Sequence, residues 1–209
     1  MNIAVLINEA ERLLTKHPYD EGHDLSHHQR VLGNALEIVD SEEVGVDKDI
    51  LQVACMWHDV VLEPKDEKEA RQIHIDETLE YLHELMNKHG FNYEFISKVV
   101  RAIKDHGFEK RKQANLEGEV LFDADKLDAL NPIRYKNLIK AIKAKKFSRF
   151  KILMYKQAAK LWLRTMRGRY HFESSKLMHD EMIVNLLKDK EALELGHQLG
   201  IDIVGLVKK

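Results

Sequence analysis

The chain has 209 residues, 44% of them apolar, which suits one folded domain and excludes wholesale disorder. Cys55 is the only cysteine, so no internal disulfide forms, and no apolar run approaches the ~18–20 residues of a membrane span; both fit a soluble cytoplasmic protein. The net charge of −2 conceals a segregation, because residues 134–170 hold thirteen Lys/Arg and no Asp or Glu, against 20 basic and 35 acidic residues elsewhere. Such a segment reads either as a surface for phosphates, nucleic acid or an acidic partner, or as helices solvated on one face.

Ten Gly and three Pro leave few turn signals, and helical spacing of apolar residues recurs along the whole chain. The opening MNIAVLINEAERLL lacks a basic leader and carries Glu9 and Glu11, so it reads as a helix rather than a signal peptide. Its stripe of Ile3, Leu6, Ile7, Ala10, Leu13 and Leu14 ends at His17-Pro18. After the loop PYDEGHDL, Ser26 is the expected N-cap of a helix that turns Val31, Ala35, Ile38 and Val39 inward and ends before Gly45. Asp47 caps a third helix, rich in buried residues from Ile50 to Trp57 and ending near Val61. Residues 66–89 form a fourth, with Ile73, Leu79, Leu82 and Leu85 inward and Gly90 as its stop. Asn92 caps a fifth helix ending at His106, GFEKRKQANLEGE reads as loop, and VLFDADKLDAL as a short helix or turn closed by Asn131-Pro132. Helices over 132–146, 148–167 and 172–190 follow, then a short terminal segment. The expected architecture is one all-α domain over 1–209, a helical bundle with a helical extension from 132.

Metal-binding side chains stand in short stretches far apart: His27 or His28 in HDLSHHQRV, His58-Asp59 in CMWHDV, and Asp123 or Asp125 in LFDADKLDAL. Two imidazoles and two carboxylates hold one divalent cation while leaving positions for water and a substrate oxygen. Neighbours on a helix diverge by about 100°, so His58 and Asp59 share an ion only beside a helix end, with other donors arriving from elsewhere. GxxxxGK[ST], HExxH and GxSxG segments are missing, and Cys55 lies in an apolar run suited to packing.

The order of HDLSHHQRV, WHDV, AIKDHG and DADKLDAL, from about residue 20 to 130, resembles the HD-domain superfamily of metal-dependent phosphohydrolases, especially its small stand-alone bacterial members. The tail WLRTMRGRYHFES extends the likeness, whereas the GYP motif of the cyclic-dinucleotide branch is missing. The resemblance implies a helical fold and a cation (Mn, Mg, Co, Ni, Fe or Zn) held by His27, His58, Asp59 and Asp125, with His27 preferred over His28 and Asp125 over Asp123. It implies hydrolysis of a phosphoester; a nucleotide or similar small molecule is the expected substrate, Asp59 is expected also to orient the attacking water, and Arg30 and Lys126, beside motif residues, and His106 to contact phosphate. The alternative is a non-catalytic phosphate-ligand or nucleic-acid-binding module using 134–170. His74 and His106 stand loosely where some relatives hold a second ion, and Asp24 is expected to orient a ligand imidazole. Asp128 reads as a cap or salt-bridge partner. His17, His83, His89, His171, His179 and His197 read as surface or packing residues, and Met154, Met166, Met178 and Met182 as core filling.

Overall fold

The computed structural model describes residues 2–16, 18, 22–62, 70–107, 113, 115–144, 149–198, 200 and 204–205. The all-α expectation holds, and the chain falls into two compact units, Met1–Asp125 and Lys126–Lys209. The first is built from α1 (Ala4–Lys16), α2 (Leu25–Glu42), α3 (Lys48–Trp57), α4 (Ala70–Lys88), α5 (Tyr93–Asp105) and α6 (Leu116–Asp128) as far as Asp125. His17 and residues 63–69 lie outside the described residues, as do the side chains of Ile73 and His74 on α4.

The short helix α3 is the hub of this unit, with α1, α2 and α5 packed around it. Its sequence explains why: from Ile50 to Trp57 every residue but Gln52 is buried, so it has almost no face left for water. Trp57 is fully enclosed and its indole Nε1 donates to the Leu6 carbonyl at 3.0 Å, tying α3 to α1. Asp47 caps α3 by accepting from the amides of Asp49 and Ile50, and Asn92 caps α5 through Phe95, both as the residue types foretell.

Three boundaries differ from expectation. Asp24, not Ser26, caps α2, accepting from the His27 amide at 2.9 Å while the Ser26 hydroxyl also donates to it. The third helix stops at Trp57, with His58 as its C-cap. Helix α6 starts at Leu116, inside the supposed loop, because Asn115 accepts from the Gly118 amide and donates to the Lys98 carbonyl. Glu117 and Glu119 then complement the positive end of the helix. A Cβ at Gly118 would come within 2.8 Å of Asn115 Oδ1 and 3.4 Å of the Ala102 backbone, so this residue lets α6 lie close on α5.

The second unit contains α7 (Pro132–Ala144), α8 (Arg149–Thr165), a 3-10 turn (Met166–Arg169), α9 (Glu173–Lys188) and α10 (Lys190–Gln198). Helix α9 matches the expected 172–190 within two residues; Asp189 then starts α10, in the stretch expected only as a short terminal segment, by accepting from the Ala192 amide. Lys136 on α7 reaches Asp189 and Glu191, and Leu186 and Ala192 pack with Tyr135. Asp128 pairs with Arg134, one of its two expected roles. Met166 and Met178 are buried as core filling, but Met154 is 55% exposed, because its part of α8 turns outward together with Leu153.

Glu43, the C-cap of α2, is the one non-glycine residue among those described with a positive φ, 51°. Left-handed geometry costs an L-residue roughly 1–2 kcal/mol and glycine far less. Glu43→Gly is therefore expected to raise the unfolding free energy by about 1 kcal/mol in a urea titration. Cys55 is fully buried, and burial raises its thiol well above the usual range. The native protein should leave a thiol reagent unreacted, with one equivalent consumed only after unfolding.

Candidate metal centre

Local chemistry sets each donor in place. The Asp24 cap fixes the first turn of α2 and with it the backbone of His27, rather than orienting an imidazole as expected. His58 and Asp59 follow the last residue of α3, where the chain leaves the helix. Val60 then presents its carbonyl to the buried hydroxyl of Thr78 at 2.9 Å, which pins the segment after the pair to α4. Asp125 comes from α6, held against α2 by Asn34, whose amide donates to the Ala124 carbonyl at 3.1 Å.

One ligand atom from each of His27, His58, Asp59 and Asp125 lies within 4.8 Å of every other. The two Nε2 atoms are 3.2 Å apart. Asp125 Oδ1 stands 3.6 Å from His27 Nε2 and 3.8 Å from His58 Nε2, and Asp59 Oδ2 is 3.6 Å from His58 Nε2. Ligands bound at roughly 2.0–2.2 Å to a common ion have such separations. The donor set therefore fits a divalent cation, and its chemistry agrees. His58 Nδ1 donates to the Cys55 carbonyl at 2.8 Å, which selects the tautomer whose free Nε2 faces the other donors.

Burial brings the His58 imidazole down to about 3, against the opposite pull of Asp59 and Asp125. Burial works to raise Asp59, but the imidazoles of His58, His106 and His23 outweigh it and hold the carboxyl well below the usual range. Neutral imidazole and ionised carboxylate are the states that metal ligation requires.

Of the remaining expected residues, His106 joins the group: Nε2 is 3.7 Å from Asp59 Oδ1 and Nδ1 donates to the Ile103 carbonyl. His28 is fully buried, but its Nδ1 goes to the Cys55 carbonyl and it stands outside the four-donor set. Asp123 is also buried, about 200° round α6 from Asp125. Arg30 donates to the Ser26 hydroxyl at 2.8 Å, and Lys126 is half-buried and belongs to the second unit. His23 went unrecognised: its Nε2 lies 3.6 Å from Asp59 Oδ2, and its ring meets that of His27 edge-on at 5.3 Å. Its place just before the cap of the His27 helix is the signal that could have found it.

The HD domain model matches residues 24–130, just over half of the chain and including all four donors. The chain belongs to the HD domain family. Solved structures agree on the fold. The Lin1889 protein of Listeria innocua is 21% identical, with 93% of this chain and 96% of that one covered and a TM-score of 0.64. A predicted HD superfamily hydrolase from an uncultured Thermotogales bacterium is 24% identical over 90% and 94%, TM-score 0.56. Bacillus subtilis YpgQ, solved in complex with ADP, is 21% identical over 94% and 99%, TM-score 0.58. No curated protein matches the chain.

Buried His28 and His58 both sit below the ordinary histidine value. As pH falls through about 6.5 the unfolded chain takes up protons that the folded state refuses, so stability drops. The Tm of the protein in EDTA is expected to decrease steadily from pH 7.5 to pH 5. A rise over that range would show these imidazoles to be charged in the ion-free fold.

Proposed function

We propose that this HD-domain chain is a metal-dependent phosphohydrolase that cleaves a phosphoester of a nucleotide or similarly small phosphorylated molecule. The observation that carries the reading is the four-donor group, with the His58 tautomer selected by a backbone carbonyl so that Nε2 faces the other donors. Family membership supports hydrolysis, and the ADP held by the B. subtilis neighbour supports a nucleotide-like substrate. A polymer is disfavoured, since Lys136 and Lys140 of the basic segment already engage Asp189 and Glu191.

His27, His58, Asp59 and Asp125 hold the divalent cation, which supplies Lewis acidity toward phosphoryl oxygens and acidifies water. Asp59 has a second task. Its Oδ2 faces His58, while its Oδ1, on the His106 side, accepts a hydrogen bond from the attacking water and aligns it on phosphorus. His106, with its Nδ1 proton committed to the Ile103 carbonyl, presents Nε2 to the same space and contacts a phosphoryl oxygen when protonated. Arg30 is a secondary candidate for that contact. Hydrolysis forms a bond from the water oxygen to phosphorus, breaks the ester bond, and returns the water's proton to the leaving oxygen.

Asp59→Asn should lower kcat/KM by about a thousandfold on whichever nucleotide the wild type cleaves. The assay is a panel of nucleoside mono-, di- and triphosphates with Mn, Mg, Co or Ni, and EDTA should abolish turnover. Full metal-dependent turnover by Asp59→Asn would falsify the assignment.

A further inference from the structure

The four donors are not equally enclosed. His27 and His58 expose none of their side chains and Asp125 only 5%, whereas Asp59 exposes 20%. Whatever reaches the centre from solvent therefore arrives alongside the Asp59 carboxylate. Two imidazoles outside the donor group stand on that approach, one beside each oxygen. His106 Nε2 is 3.7 Å from Oδ1, and His23 Nε2 is 3.6 Å from Oδ2. His106 already has a part in the proposed reaction; His23 has none.

Two contacts set His23 in place. Its neighbour Asp24 is fixed as the cap of α2, where its side chain and its carbonyl both accept from the His27 amide, at 2.9 Å and 3.0 Å. The His23 ring itself meets the His27 ring edge-on, with centroids 5.3 Å apart and planes at 81°, an arrangement that aromatic rings favour. A ring so placed is ready before substrate arrives. It is not a donor to the cation, since the four-donor group closes without it. Nor does Nε2 serve Asp59 by a hydrogen bond, for 3.6 Å exceeds the reach of one. At 16% exposure the ring is more open than His106, at 9%. Four protein donors leave positions on a divalent cation for water and a substrate oxygen, and a phosphoryl group entering along Asp59 meets the ring beside each carboxylate oxygen.

We infer that His23 is a substrate-binding residue that donates an N–H to a non-bridging phosphoryl oxygen, across Asp59 from the contact made by His106. Its substrate is that of the phosphohydrolase reading, on which the assignment rests. An imidazole carries at least one N–H in either charge state, so the contact needs no proton uptake. A phosphoryl group presents several oxygens in different directions, so one can face the cation while others accept from rings on two sides. The hydrogen bond is of the stronger kind, because its acceptor is ionised.

Manganese and inorganic phosphate are the probes, applied to the full-length protein. Calorimetry should give the wild type, His23→Ala and His23→Gln the same Mn affinity, because His23 is outside the donor group. Phosphate binding to the Mn-loaded protein, followed by broadening of the phosphorus NMR signal, should weaken about tenfold in His23→Ala, the loss of one hydrogen bond to an ionised acceptor. His23→Gln restores an N–H donor and should recover most of that affinity, which a role in packing alone would not give. On the nucleotide that the wild type cleaves, His23→Ala should raise KM about tenfold with kcat little changed. Phosphate affinity unchanged in His23→Ala overturns the assignment, as does no recovery in His23→Gln. A loss of Mn affinity in His23→Ala also overturns it, by making His23 a ligand of the ion. If the wild type cleaves no nucleotide yet His23→Ala weakens phosphate binding, the phosphohydrolase reading falls and the His23 contact stands. If the wild type hydrolyses and His23→Ala matches it throughout, the reverse holds.

Discussion

Two carboxylates and two imidazoles crowd within 4.8 Å of one another, three of these four residues almost wholly enclosed, and this concentration of polar groups is the constraint on the first unit. Removing an ionised carboxylate from water is costly unless an opposite charge or hydrogen bonds replace the lost hydration. With His58 held neutral and Asp59 held ionised, the group favours a divalent cation as its counter-charge. The surrounding helices are arranged to bear that load. A hub helix with hardly any solvated face delivers His58-Asp59 at its C-terminal end, where the partial negative charge of the helix favours a cation too. A capped helix places His27, and a helix fastened through Asn34 places Asp125.

Much of this was legible before any coordinates. Helical periodicity located the elements, and the caps Asp47 and Asn92 were readable because their short side chains act on amides two or three residues away. The errors occur where two readings of a short polar side chain compete. Ser26 and Asp24 both suit a cap, and the carboxylate took the position while the hydroxyl served it. The start of α6 was hidden because Asn115 acts both as a cap and as a tether to the Lys98 carbonyl, and a tether across seventeen residues leaves no local pattern.

The site divides in the same way. The four-donor pattern was visible because side-chain types and chain order suffice to suggest it. His23 was not, since its approach to Asp59 depends on how a loop returns to the centre. The preference for His27 over His28 rested on the resemblance alone, and residue type gives no reason for it, for both are fully buried and their rings are neighbours. What separates them is that His28 spends its Nδ1 proton on the Cys55 carbonyl and stands outside the cluster, whereas His27 points Nε2 at His58.

That Cys55 carbonyl receives protons from two rings, His28 and His58. A main-chain oxygen survives every side-chain replacement at its own position, so no point substitution at residue 55 deletes this acceptor. The alignment of the His58 ring is consequently encoded in the path of the polypeptide rather than in any one residue's identity. Sequence drift can alter the packing around it while the imidazole keeps its heading, provided that the final turn of α3 stays wound.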